Sequence, residues 1–169
     1  MKQCGTEKAL PRCSELYWCH NYKGRLYSYE ETLRLIENFY GDSTPWLVIG
    51  VKMVTLALER FNIDTPFDVV CETRECLPDA VQILTPCTVG NGKLKINDMG
   101  RYAITFYDKI SGRGIRVSVN SDRLKLWEEY YNWFFGVKLY RDLDYDQLMS
   151  DMRSAGDTVL HCSEIELIV

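Results

Sequence analysis

The sequence has no Cys-x-x-Cys pair and only two histidines, His20 and His161. Zinc ribbons, thioredoxin-like redox motifs and histidine-rich metal centres are therefore excluded as simple readings. No Gly-x-Ser-x-Gly elbow occurs, and neither histidine stands in a motif that would serve a serine or cysteine nucleophile. Thr88-Val89-Gly90-Asn91-Gly92-Lys93 carries glycines and a lysine but lacks the length and the Lys-Ser/Thr ending of a phosphate-binding loop. There is no long basic run and the formal net charge is −4, which speaks against nucleic acid as a partner. The longest apolar stretch, Trp46 to Phe61, is interrupted by Lys52 and Glu59 and is too short to span a bilayer. The first residues lack the apolar centre of a secretory signal, so a cytoplasmic protein with no membrane partner is expected.

What is present suits one ordinary domain: 169 residues, 46% apolar and 26% charged. Seven cysteines, an odd number without an export signal, are expected to be reduced, either buried or metal-bound. Residues 1–28 read as an irregular, cysteine-containing N-terminal extension. Ser28-Tyr29-Glu30-Glu31 is a capping box opening a helix that Gly41 stops. Thr44-Pro45 opens a second helix, to Asn62, apolar on most faces and hence central; Gly50 within it suggests close approach of another element. Strands are predicted over 67–72, 93–96, 101–108, 114–120 and 158–168. Helices are predicted over 78–84, 121–135 and 144–154. In the aromatic-rich helix 121–135, Trp127, Tyr130, Tyr131 and Phe134 form one stripe. Trp133 and Phe135 point elsewhere and suggest a second buried face, hence a subunit interface.

Several segments together resemble the FmdE family of formylmethanofuran dehydrogenase proteins. They are Val48-Ile49-Gly50-Val51-Lys52-Met53, then Cys76-Leu77-Pro78-Asp79-Ala80-Val81-Gln82, Cys87-Thr88-Val89-Gly90-Asn91-Gly92, and Gly100-Arg101-Tyr102-Ala103-Ile104-Thr105-Phe106-Tyr107. The resemblance implies an α+β fold with an antiparallel or mixed sheet packed with helices, spanning residues 29–169 with no C-terminal zinc finger. It also implies a homodimer, zinc or another transition metal as cofactor, and a partner among the molybdenum or tungsten dehydrogenases of anaerobic one-carbon metabolism and methanogenesis. The family carries its metal near a His-Gly-His-x-Cys-Pro motif. Here Tyr40 and Asp42 stand where the family has histidines, and Thr44 where it has cysteine. A phenol, a carboxylate and a hydroxyl do not make a tight zinc site, so the inherited site is expected to be lost or changed.

Cys76, just before a helix start, is expected to have a lowered pKa. If the helix ends converge, Cys76, Asp42, Tyr40 and Glu72 line one polar pocket, with Cys76 and Asp42 as candidate metal ligands. Cys13, Cys19 and His20 are candidate replacement donors, supplied by the N-terminal extension. The alternative reading of each cysteine is a small buried apolar residue. Three functions follow: a metal- or small-ligand-binding accessory protein of one-carbon or molybdenum/tungsten-enzyme metabolism; a small cleft enzyme using Cys76 with Asp42, Tyr40 or Glu72; or a structural homodimer with a decayed site.

Overall fold

The computed structural model describes residues 17–168. Within the described part of the segment read as irregular, residues 17–28, it shows a regular hairpin instead. Strand β1 (Cys19–His20) pairs antiparallel with β2 (Leu26–Tyr27). The Asn21 side chain accepts from the backbone N–H groups of Lys23 and Arg25, both at 3.0 Å, and so fixes the turn between them. Trp18, Cys19 and Tyr27 of this hairpin belong to the hydrophobic core. Helix α1 (Tyr29–Tyr40) then starts at the Ser28 capping box and ends at Gly41, whose φ of 92° only glycine adopts readily.

Helix α2 (Pro45–Arg60) is the centre of the molecule. Thr44 caps it, accepting from the Trp46 N–H at 3.2 Å, and Pro45 occupies its first turn, where no N–H is needed. Thirteen of its sixteen residues are buried. Among them is Lys52, whose ammonium donates to the Trp18 carbonyl at 2.9 Å and lies 5.0 Å from the Trp18 ring centre. That contact fastens the hairpin to the central helix, because a buried ammonium is costly unless it finds acceptor density.

One side of α2 faces a five-stranded sheet of order β4-β3-β5-β6-β7. Its strands are β3 (Phe67–Cys71), β4 (Leu94–Ile96), β5 (Ala103–Asp108), β6 (Arg113–Val119) and β7 (Leu160–Glu166). β3 and β4 run parallel, joined through helix α3 (Leu77–Leu84); every other pair is antiparallel. The α+β fold with a mixed sheet is thus as expected. Phe67, Val69, Cys71, Ile104, Phe106, Ile115 and Val117 form the helix-facing side by strict alternation.

The predicted helix 121–135 is two helices, α4 (Ser121–Leu124) and α5 (Glu128–Phe134). Trp127 is extended between them and serves as the N-cap of α5, with Glu128 and Glu129 in the first turn. Breaking the helix turns Tyr130 and Trp133 inward, and Trp133 packs 4.3 Å from the Trp46 ring. Trp133 is therefore core, which removes much of the argument for an interface on this segment. Helix α6 (Tyr145–Ala155), capped by Asp144, completes the layer beyond α2.

Gly50 is where α2 and α3 touch. A Cβ there would lie 3.0 Å from the Ala80 Cβ and 3.4 Å from the Leu77 Cδ1 and the Tyr102 hydroxyl. Gly50→Val is expected to destabilise the protein by about 2 kcal/mol in urea melts, because overpacking outweighs the gain in helix propensity. Unchanged stability would contradict this contact.

Candidate functional site

Three helix ends meet at one corner: the C-terminus of α1, and the N-termini of α2 and α3. The meeting is built by the burial of α2, by α3 packing on Gly50, and by the Tyr102 hydroxyl donating to the Trp46 carbonyl. The Trp46 ring is held in turn by Tyr102, Trp133 and Phe134, at 5.0, 4.3 and 5.5 Å. At the corner the Cys76 thiol donates to the Tyr40 hydroxyl at 3.9 Å, and the Thr44 hydroxyl is near enough to favour the thiolate form. Tyr40 and Thr44 are two of the three positions where the resemblance placed metal donors.

Cys76 has φ 42°, the single left-handed non-glycine residue among those described. A side chain in that region costs of order 1 kcal/mol, and such strain persists where surrounding structure enforces it. Pro78 follows in the first turn of α3, and Cys76 itself gives this helix no side-chain cap.

The electrostatics overturn the expectation of a thiolate. Burial pushes the Cys76 thiol up, and the nearby Asp79 and Glu75 carboxylates add to this, against hydrogen bonds from Tyr40 and Thr44. The contact with Cys76 pushes the exposed Tyr40 phenol up as well. Burial likewise raises the carboxyl of Asp79, which faces the same thiol. Desolvation thus outweighs the helix terminus, and the Cys76 thiol and Tyr40 phenol are held in their protonated forms beside the acidic Asp79 and Glu75.

The other candidates lie apart. Glu72 is held by Arg116 in a two-pronged pair at 2.6 and 2.8 Å, which lowers its carboxyl below the usual range. Asp42 is exposed and acts on Tyr145, whose hydroxyl donates to the Ser43 carbonyl at 2.9 Å. Cys19 is buried against the Thr32 hydroxyl at 3.1 Å. His20 is buried, its Nε2 3.8 Å from a Glu59 oxygen. Glu59 lies fifteen residues beyond Thr44 on α2, roughly 22 Å at the helical rise. Cys19 and His20 therefore do not replace the donors at the corner, and Cys13 lies outside the described residues. Among the described residues, no three His, Cys, Asp or Glu side chains are grouped as metal donors. One protonated thiol with a phenol and a hydroxyl does not fit zinc. Sequence reasoning missed Tyr102 and Asp79 as parts of this corner; both stand in the motifs that carried the resemblance.

Two outcomes test this geometry. Cys76→Gly is expected to raise stability by about 1 kcal/mol in urea melts, while Cys76→Ala does not, since only glycine relieves the left-handed backbone. The Glu72–Arg116 pair lowers a carboxyl pKa, so its stabilisation is present above the ordinary glutamate pKa and is lost as pH falls through the lowered value. Glu72→Gln is expected to flatten that acid limb in melts recorded against pH, and to leave the rate of Cys76 alkylation unchanged. A changed alkylation rate would place Glu72 in the site.

Comparison with known proteins agrees with this architecture. Residues 39–169 match the family described as FmdE, molybdenum formylmethanofuran dehydrogenase operon. The crystal structure of a tungsten formylmethanofuran dehydrogenase FmdE-like protein from Syntrophus aciditrophicus is 39% identical and superposes with a TM-score of 0.77, covering 89% of this chain and 77% of that one. A probable S-adenosyl-L-methionine-binding protein of Archaeoglobus fulgidus is 31% identical over 97 residues. That match takes in 53% of this chain but only 26% of the archaeal protein, so the chain spans about a quarter of its curated relative. On the extent of the family match and the shared fold, the chain belongs to the FmdE family.

Proposed function

We propose that this protein is a small-ligand-binding accessory protein of one-carbon or molybdenum/tungsten-enzyme metabolism, and that the corner of Cys76, Tyr40 and Thr44 is its ligand site. The observation that carries the reading is the strained Cys76. Its thiol is held against Tyr40 and Thr44, where the family motif would stand. The neutral thiol and hydroxyls suit an uncharged polar or thioether-like group of an organic ligand better than a transition metal, which needs deprotonated or imidazole donors. The S-adenosyl-L-methionine binding named for the archaeal relative supports an organic ligand, one whose uncharged adenosine hydroxyls suit these groups and whose sulfonium cation the nearby Asp79 and Glu75 would attract. Association with a molybdenum or tungsten dehydrogenase is part of the same proposal, by analogy with the family.

A cleft enzyme with Cys76 as nucleophile is less well supported. Its thiol is raised rather than lowered, and the hydroxyls beside it, of Tyr40 and Thr44, are not general bases at neutral pH.

Protection of Cys76 from alkylation tests the site, read by mass spectrometry on the dialysed full chain. S-adenosyl-L-methionine is expected to slow Cys76 modification and raise the melting temperature. Tyr40→Ala is expected to weaken that binding about tenfold, as for loss of a hydrogen bond in a partly buried site. No effect of S-adenosyl-L-methionine on either readout would remove this ligand class, and protection equal in the Tyr40→Ala variant would move the site elsewhere.

A further inference from the structure

The far edge of the sheet carries an inference independent of the Cys76 corner. β7 pairs with β6 on one side, and among the described residues no strand pairs with its other side. Its sequence, Leu160-His161-Cys162-Ser163-Glu164-Ile165-Glu166, has neither proline nor lysine, two devices that block free edges.

The ladder fixes which backbone groups are free. The Leu167 N–H donates to the Gly112 carbonyl and the Asn120 N–H to the Val159 carbonyl, both at 2.8 Å. The hydrogen-bonded pairs with β6 therefore fall at His161, Ser163 and Ile165, in the observed register. Alternate residues of an antiparallel strand direct their N–H and C=O to opposite sides. Those of Leu160, Cys162, Glu164 and Glu166 thus face outward.

The side chains of these same residues share the face of Ile115 and Val117, toward α2. Two adjoining open cavities run along them, of about 660 and 490 Å³, sharing Arg60, Ile115 and Glu164. Arg60, in the last turn of α2, lies close enough to Cys162 for its charge to act on that thiol. Arg123 lines the same cavity as Leu160 and donates to the Thr158 carbonyl at 3.2 Å. Among the described residues neither arginine pairs with a carboxylate, and neither Glu164 nor Glu166 pairs with a cation.

We propose that the free edge of β7 pairs antiparallel with β7 of a second copy, about a two-fold axis at Ser163, joining both sheets into one. The resemblance implies a dimer without saying which surface makes it. This register pairs the whole of β7 and sets Cys162 opposite Glu164 of the partner subunit, and Leu160 opposite Glu166 of the partner subunit. It carries those two carboxylates to Arg60 and Arg123, and the symmetry repeats both contacts. A register centred on Glu164 would instead oppose like charges, and one centred on Cys162 would leave the end of the strand unpaired. Charge complementarity therefore selects one partner, a second copy, and one register.

Sedimentation equilibrium of the full chain tests the pairing. Wild type is expected to dimerise. Arg60→Glu and Glu164→Arg are each expected to weaken the dimer at least about tenfold, since like charges then face across the axis. The double swap is expected to restore affinity to within about threefold of wild type. Independently, Ser163→Cys in a Cys162→Ala background is expected to cross-link on mild oxidation. Directly opposed, non-hydrogen-bonded residues stand about 4.5 Å apart, within disulfide reach. A monomer at all concentrations would overturn the proposal. So would a dimer indifferent to the single swaps, a double swap that fails to rescue, or a Ser163→Cys chain that does not cross-link.

Discussion

Burial of α2 on nearly all sides is the constraint on which the rest depends. A helix this apolar must be covered by the sheet on one side and by α1, α3, α5, α6 and the β1–β2 hairpin on the others. Covering it leaves its N-terminus at the corner where the chain enters from α1 and where α3 begins. Gly50 allows α3 to approach, and Tyr102 with the Trp46–Trp133–Phe134 cluster holds the first turn. Tyr40, Thr44 and Cys76 are thus set by packing rather than by a flexible loop, which is how a fold can hold a residue at φ 42°.

That same burial decides the chemistry of the corner. A thiol at a helix start gains from the helix dipole only what solvent access leaves it, and at Cys76 desolvation and two acidic neighbours dominate. Where the resemblance places imidazole and thiolate donors, Tyr40 and Thr44 bring hydroxyls and Asp42 an exposed carboxylate, and the Cys76 thiol stays protonated. These two changes point the same way, from a soft metal toward a neutral organic group. Other charged groups are used elsewhere: Glu72 clasps Arg116 across the sheet, and Lys52 anchors the hairpin.

Local signals made much of the fold readable from the residues. Ser28 with Glu31, Thr44 with Pro45, and Gly41 mark helix ends because capping involves neighbours in sequence. Alternation in β6 and the Ser111-Gly112 turn before it do the same for the sheet. The two-residue strands of the hairpin are too short to show a period. The break before Trp127 comes from tertiary packing of Tyr130 and Trp133, which no local propensity encodes. The meeting of Tyr40 with Cys76 was readable through family resemblance, since 36 residues separate them. The direction of the Cys76 pKa was not, because desolvation depends on what α1 and α2 bring to it. Likewise, nothing in the spacing of Cys19 and His20 told that they lie along the middle and far half of α2.

The donor change at the corner decides which ligand this protein can hold. Elemental analysis of full-length protein purified without affinity tag or chelator measures it directly, with Cys76→Ser in parallel. Transition metal is expected far below one atom per chain in wild type, and unaltered in Cys76→Ser. Near-stoichiometric zinc that disappears with Cys76→Ser would show that the corner still holds the family's metal, and would contradict the account.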